Sequence, residues 1–167
     1  DGEGAGLHTP IPVWKGRGPL DNAPPEYDLH AINRGTTMTT MGMMMEDHWR
    51  HEYLNLYDPK IYRIMMHPDT AAKKGLKDGD SVFVEALAGN LDGEEVIGKV
   101  KGQVMVTQCI HPESVGIGGR FGVRSKNAGY PARDGMCFND LISFDEETFD
   151  PLSGNVDNGP KVKVYKA

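Results

Sequence analysis

The feature that most constrains the fold is a very short helix that is followed at once by a tight turn and a strand, within residues 66–85. His67 or Asp69 can cap this helix, and Pro68 suits its first turn, where a missing N–H costs nothing. Gly75 follows at the position that favours a left-handed residue and predicts the end of the helix. The helix therefore has room for about one and a half turns.

The same segment predicts the turn and the strand that come next. Lys77-Asp-Gly-Asp80 has the composition of a tight turn with a positive φ at Gly79. Val82, Val84 and Ala86 then alternate with Ser, Phe and Glu, which is the period of a half-buried strand. Since the 167 residues include 21 Gly and 11 Pro, we expect many short strands rather than long helices.

Composition excludes several classes of protein. A net charge of −6 and the lack of a Lys/Arg cluster argue against a nucleic-acid partner, and no apolar run approaches the roughly 18 residues of a membrane helix. Cys109 and Cys137 are too few for a disulfide framework. The chain is about one domain long. Because it begins at Asp1 without a basic leader, we expect a piece of a longer protein, with any export signal upstream.

The rest of the chain also consists of short elements. Residues 1–26 are expected to form an irregular, proline-rich lead-in, and residues 27–167 the folded domain. Patterning predicts strands at 27–33, 61–66, 96–107, 114–119 and 162–165, a helix within 43–56, an excursion at 88–95, a loop at 122–136, renewed order at 139–142 and a turn at 150–154. Five to seven short strands with one or two small helices suit a closed barrel.

The helix–turn–strand segment resembles the "N-P-x-x-A-x-x-x-G-[IL]-x-[DE]-G-[DE]-x-V" motif of the C-terminal domain of molybdopterin oxidoreductases, the dimethyl sulfoxide reductase family. His67 stands here in place of the Asn, and the motif is otherwise matched through Val82. The resemblance extends over roughly residues 26 to 166. It implies a mainly β fold, a closed six-stranded double-psi β-barrel, which binds molybdopterin guanine dinucleotide.

The resemblance implies a first cofactor-binding segment in the polar loop after the first strand. Its candidate residues are Arg34, Gly35, Thr36, Thr37, Met38, Thr39 and Thr40. Backbone N–H groups and hydroxyls suit a diphosphate, and an arginine adds a charge-assisted donor. The family usually has "R-x-x-x-H-x-H-[ST]" here, so Met38 and Thr40 stand where histidines are expected. From the residues alone, a solvated surface loop is the alternative.

A second segment, Gly118-Gly-Arg-Phe-Gly122, resembles the "H-G-W-G" turn with which the family approaches the pterin. Glycines let backbone approach a flat ring closely, and an aromatic side chain can pack on the ring. Arg120 and Phe121 are therefore candidate cofactor-binding residues. From the residues alone, a plain glycine turn between two strands explains the segment equally well.

Three further candidates are Tyr130, Asn139 and Lys161. The family commonly has an Asn just before a Leu, as in Asn139-Asp-Leu141, and its amide can both donate to and accept from a guanine or pterin edge. After a "D-P-x-S-G" stretch, matched by Asp150 to Gly154, the family places a lysine near the last strand. Lys161 is the first candidate and Lys163 the next. Taken singly, each is also typical of an ordinary surface residue.

Other clusters are weaker candidates for chemistry. His48 with His51, and Cys109 with His111, lack a third ligand at a spacing typical of zinc sites, so no metal-ligating or catalytic residue is assigned. Nothing near Cys109 marks it as an activated nucleophile. The methionines of residues 41–45 suit adaptable packing better than binding of a soft metal.

The resemblance also implies a parent enzyme. Molybdenum or tungsten would be held by two pterin dithiolenes and a side chain of an earlier domain, with an iron–sulfur cluster elsewhere in the parent chain. This domain would position the cofactor and be inactive alone, with the remaining domains and an iron–sulfur electron-transfer subunit as partners. The parent is expected to be an oxidoreductase of the bacterial or archaeal periplasm or cytoplasm, acting on a small acceptor such as a sulfur or arsenic oxyanion.

Two other functions stay open from the sequence. The first is a binding or interaction module on a related barrel, like the substrate-recognition domains of certain ATPases. The second is a small enzyme similar to aspartate decarboxylase, which cleaves itself at a Gly-Ser bond. The chain contains no Gly-Ser pair, which counts against the second. The fold alone does not choose among these functions.

Overall fold

A computed structural model describes residues 23–35, 47–87, 96–118, 122, 136–144, 149–150, 153–156 and 158–167. Within these ranges lie the strands β1 Leu29–Arg34, β2 Ile64–Met66, β3 Ser81–Leu87, β4 Val96–Val106, β5 Ser114–Gly118 and β6 Lys161–Lys166. The helices are α1 His48–Tyr57, α2 Pro68–Lys73 and a 3₁₀ helix Phe138–Leu141. The predicted excursion at 88–95, most of the loop at 122–136 and most of the lead-in lie outside the described residues.

The six strands close into one barrel in the order β1-β5-β2-β4-β3-β6. β1 pairs with β5 in parallel, as β2 does with β4, while β1–β6, β2–β5, β3–β4 and β3–β6 are antiparallel. A parallel pair needs a long crossover, and the chain indeed leaves β1 and returns at β5 only after three intervening strands. The prediction of a closed six-stranded double-psi barrel is confirmed.

The barrel interior is filled by the inward rows of the strands. On β3, Val82 and Val84 are fully buried, as the alternation predicted. Phe138 and Leu141 of the 3₁₀ helix belong to the same apolar core. The 3₁₀ helix is therefore part of the packed barrel, and this packing fixes the position of the residues on its exposed side.

The helix–turn–strand segment has the predicted local structure. His67 caps α2, its Nδ1 accepting a 3.2 Å hydrogen bond from the N–H of Asp69, and Pro68 is the first helical residue. Gly75 and Gly79 have φ values of 65° and 85°, in the left-handed region that favours glycine. The predictions of the cap, of the helix end and of the positive-φ turn are confirmed.

The Asp-Gly-Asp turn is anchored on β4. The N–H of Gly79 donates to the carbonyl of Val104 at 2.8 Å, and the N–H of Val106 donates to Asp78 Oδ1 at 3.0 Å. Asp78 Oδ2 also accepts from Lys60 Nζ at 2.9 Å, and these hydrogen bonds lower the pKa of Asp78. Both carboxylate oxygens therefore hold the turn in place.

Three elements start more than one residue later than predicted. β1 starts at Leu29 because Tyr27 closes a turn, its N–H donating to the carbonyl of Pro24 at 2.9 Å. β2 starts at Ile64 because residues 58–63 form turns in which the N–H of Ile61 donates to Asp58 O at 3.0 Å. α1 starts at His48, and residues 43–46 of the predicted helix lie outside the described residues. No helix in the described ranges is long and apolar enough to cross a membrane.

Candidate cofactor-binding site

The first two predicted cofactor segments leave the barrel side by side. Arg34, the last residue of β1, lies opposite Gly118, the last residue of β5. Because the two strands are parallel, the segments that follow them start at the same edge of the barrel. Gly35 follows Arg34 directly, is exposed, and has open space where a side chain would begin. The protein's own packing therefore does not require a glycine there, and the open space suits close approach of a ligand.

In the Arg34 side chain, one nitrogen is hydrogen-bonded, and another is buried without a partner among the described residues. Its Nη2 donates to the carbonyl of Ile61 at 2.5 Å, while its Nε is buried and has no hydrogen-bond partner among the residues that the structure describes. Burial lowers the pKa of Arg34, against the opposite effect of Asp58. An unsatisfied buried donor costs about 1–3 kcal/mol, and more for a charged group. An anionic acceptor beside Nε would remove this cost.

Gly122 brings the predicted glycine turn against the segment that leads to Asn139. Its φ is 71°, and a Cβ atom there would lie 2.6 Å from the backbone nitrogen of Cys137. Backbone packs on backbone at this point, which only glycine allows. Cys137 is half-buried, and burial raises the pKa of its thiol, so it is not an activated nucleophile.

Asn139 is exposed, and the helix that carries it is held in place by close packing. It belongs to the 3₁₀ helix, which is seated on β4 through glycines. A Cβ atom at Gly98 would lie 1.6 Å from the carbonyl oxygen of Asp140, and one at Gly102 would lie 2.4 Å from Met136 Sδ. Gly122 thus packs against Met136 and Cys137, directly before the helix that presents the Asn139 amide.

Lys161 occupies a different part of the barrel. It begins β6, is half-buried and lies opposite His30 of β1. His30 precedes Arg34 by four residues, which corresponds to about 13 Å at the roughly 3.3 Å rise of a strand. The structure therefore brings Arg34, Gly35 and Gly118 together, and does not bring Lys161 to Arg34.

Eight predicted cofactor-binding residues lie outside the described residues, and their assignments stay predictions. They are Thr36, Thr37, Met38, Thr39, Thr40, Arg120, Phe121 and Tyr130. Across the described part of the chain, no group of three or more His, Cys, Asp or Glu side chains is placed to hold a metal ion.

The sequence analysis missed a buried ionic cluster on the outer side of β3. Glu85 is buried and accepts 2.8 Å hydrogen bonds from the hydroxyls of Tyr27 and Tyr165, while Lys163 Nζ lies 2.8 Å from its Oε1. Burial alone would raise the pKa of Glu85, but the hydrogen bonds from Lys163 and the two tyrosines lower it to about 2. The signal available was a lone Glu within an otherwise apolar run of β3. Lys163, the second-choice cofactor lysine, is thus engaged with Glu85.

In the described part of the chain, β1 and β5 of the closed barrel end side by side, and the buried Nε of Arg34 at this edge has no partner. The model of the molydopterin dinucleotide binding domain family matches residues 33–158, and the chain belongs to this family. The matched range includes Arg34, Gly118, Gly122 and Asn139, and it ends before Lys161.

A solved structure has the same fold. The chain is similar to acetylene hydratase from Pelobacter acetylenicus, with a TM-score of 0.63 and 18% sequence identity. The similarity covers 86% of this chain and 19% of the acetylene hydratase chain. At this identity the likeness shows the fold. No curated protein matches the chain.

Proposed function

We propose that this chain is the C-terminal domain of a larger molybdenum or tungsten oxidoreductase, in which it binds molybdopterin guanine dinucleotide and positions it. The observation that carries the proposal is the buried Nε of Arg34, which has no partner within the described ranges and lies where β1 and β5 end. Membership of the dinucleotide-binding family supports the identity of the ligand.

The residues at this edge fit such a group. Arg34 would donate from Nε to a diphosphate oxygen, and a guanidinium suits such an acceptor better than an ammonium does. Gly35 leaves space for the ligand's approach. Asn139 would donate to and accept from a guanine or pterin edge, since an amide offers both functions.

The chain's own contribution is binding and orientation. When bound, the metal–pterin group supplies the redox chemistry, and the protein supplies position and electrostatics. Close packing of the 3₁₀ helix on β4 would orient Asn139, and the hydrogen bond to Ile61 would orient Arg34. The isolated chain is therefore expected to be inactive.

Other parts of the parent complete the enzyme in this proposal. A metal-ligating side chain and an iron–sulfur cluster would lie in the remaining domains, and an iron–sulfur subunit would deliver electrons. A small oxyanion is the proposed class of substrate. The similar structure is named for hydration of acetylene, so the fold by itself does not set the reaction.

The test is cofactor content in the full-length parent, expressed anaerobically in a host whose cofactor assembly works. Metal is measured by mass spectrometry and oxidised pterin by fluorescence. We expect about one metal and two pterins per chain, the bis form of the cofactor. A folded protein without metal and pterin would contradict the proposal and favour a binding module.

The matched variants are Asn139→Ala and Gln103→Ala, because Gln103 is an exposed amide on the outer row of β4. Asn139→Ala should lower the pterin content, and Gln103→Ala should not. Neither variant should move the melting temperature of the apo domain, since both side chains are exposed. An equal pterin content in both variants would remove Asn139 from the site.

A further inference from the structure

Helix α1 carries a row of large apolar side chains that the described residues leave exposed. Trp49, Tyr53, Leu56 and Tyr57 are 85%, 45%, 75% and 66% exposed. Their spacing of four, three and one residues places them on one face of a helix. The rings of Tyr53 and Tyr57 contact each other, with centroids 4.3 Å apart, so the row is continuous. We call these four residues the α1 stripe.

The α1 stripe lies beside the edge that the proposed cofactor occupies. Leu54, on another side of α1, is buried against Ile61 and Tyr62. The carbonyl of Ile61 in turn accepts the hydrogen bond from Arg34 Nη2. The helix is thus attached to the end of β1, where the polar loop begins.

The area of the α1 stripe favours an occupant within the same polypeptide. An aromatic side chain buries about 150–250 Å² when covered, so at these exposures the stripe offers on the order of 500 Å². Two copies covering each other would bury on the order of 1,000 Å², below the roughly 1,200–2,000 Å² of stable complexes. Interfaces between domains of one chain bury about 600–1,500 Å² and need no bimolecular association.

We propose that the α1 stripe is the surface by which this domain docks onto an apolar face of the remaining domains of its oxidoreductase, next to the cofactor. The inference rests on the proposed function, because it requires a larger enzyme around this barrel. A ten-residue helix is marginal by itself and draws its stability from packing. In the domain alone, α1 packs through Leu54. Contact along the stripe would add packing on a second side of the helix.

The first test is hydroxyl-radical footprinting of the full-length parent and of the 167-residue chain alone, with pterin measured in the same parent sample. In the parent, oxidation of Trp49 and Tyr57 should slow about tenfold or more, as expected for side chains that are covered. Equal rates in a pterin-containing parent would overturn the docking inference and leave the proposed function standing. Slow rates in a pterin-free parent would do the reverse.

A second measurement distinguishes another copy of the chain as the occupant. The 167-residue chain alone should sediment as a monomer at micromolar concentration, with Trp49 reactive. A concentration-dependent dimer in which Trp49 is protected would overturn the assignment of the stripe to the remaining domains.

Variants test the energetic role of the stripe. Trp49→Ala with Leu56→Ala in the parent should speed proteolytic release of this domain about tenfold, because release follows the population of the undocked state. Glu52→Ala, an exposed residue of the same helix, is the matched control and should leave the rate unchanged. The helical circular dichroism of both variants, measured in the 167-residue chain, shows whether α1 is still formed. Equal release rates with α1 intact would contradict the proposal.

Discussion

The hydroxyl of Tyr27 donates a 2.8 Å hydrogen bond to Oε1 of Glu85, joining two residues that are 58 positions apart. Tyr165 donates to Oε2 at 2.8 Å, and Lys163 Nζ lies 2.8 Å from Oε1. Tyr27 precedes β1, Glu85 lies on β3, and the other two lie on β6. The Glu85 carboxylate thus connects the start of the domain, at Tyr27, to the strands β3 and β6.

The first prediction concerns Glu85→Gln. The change removes the carboxylate that pairs with half-buried Lys163 and accepts from two tyrosines, and a hydrogen bond to a charged group contributes about 1.5–3 kcal/mol. We therefore expect a loss of unfolding free energy of this order in urea denaturation at pH 7. Glu113→Gln, an exposed carboxylate, is the control and should change stability by less than about 0.5 kcal/mol. A loss within that limit for Glu85→Gln would show that the cluster is energetically neutral.

The second prediction concerns how the unfolding free energy falls at acid pH. The pKa of Glu85 in the folded chain is about 2, against 4.5 ordinarily, so the unfolded chain binds a proton first as pH falls. The stabilisation is complete above pH 4.5 and is lost as pH falls from there towards 2. Denaturation curves between pH 6 and pH 2 should show a shallower acid loss for Glu85→Gln than for the wild type. Parallel acid limbs would assign the acid sensitivity to other carboxylates.

The third prediction compares two glycines. Gly98→Ala would place a Cβ atom 1.6 Å from the carbonyl oxygen of Asp140, so the 3₁₀ helix must move away from β4. Such overpacking typically costs about 1–3 kcal/mol, which the melting temperature of the apo domain reports. Gly35→Ala meets nothing within 4 Å and should leave the apo domain unchanged.

The same pair tests the site in the parent enzyme. Gly98→Ala should lower pterin content because Asn139 moves with the 3₁₀ helix. Gly35→Ala should lower it only if a ligand occupies the open space beside Arg34. Full pterin content in Gly98→Ala protein that is measurably destabilised would show that the position of Asn139 is unimportant.

The fourth prediction concerns the turn before β3. Gly79 has a φ of 85°, and a β-branched residue in that region is strained by about 1–3 kcal/mol. Gly79→Val should therefore lower the unfolding free energy by this amount. Gly79→Asn should lose less, because asparagine tolerates the left-handed region better. Equal losses for Val and Asn would indicate that contacts of the added side chain, and not backbone conformation, set the cost.

The local elements could be predicted from the sequence more completely than the site could. Cap, helix end and turn around Pro68 and Gly79 depend on single residues with strong backbone preferences, so they were predictable. The cluster at Glu85 was not, because its partners come from residues 27, 163 and 165, which only barrel closure brings together. The close approach of Gly98 to Asp140 likewise depends on tertiary packing. The spacing of the apolar residues on α1 could have shown from the sequence that they share one face. Their exposure could not, because it depends on how the helix packs.

The last prediction separates two roles of Arg34. Arg34→Met removes the 2.5 Å hydrogen bond to Ile61 and also removes the buried Nε, for which the described part of the chain offers no acceptor. The first loss costs about 1 kcal/mol and the second change gains a similar amount, so the apo unfolding free energy should shift by less than about 1 kcal/mol. Pterin content of the parent should nevertheless fall severalfold, because the charge-assisted donor is gone. Arg63→Met, which loses a 3.4 Å ion pair with Asp78, should leave pterin content unchanged. A destabilised Arg34→Met protein with full pterin content would make Arg34 a purely structural link between β1 and the turn after α1.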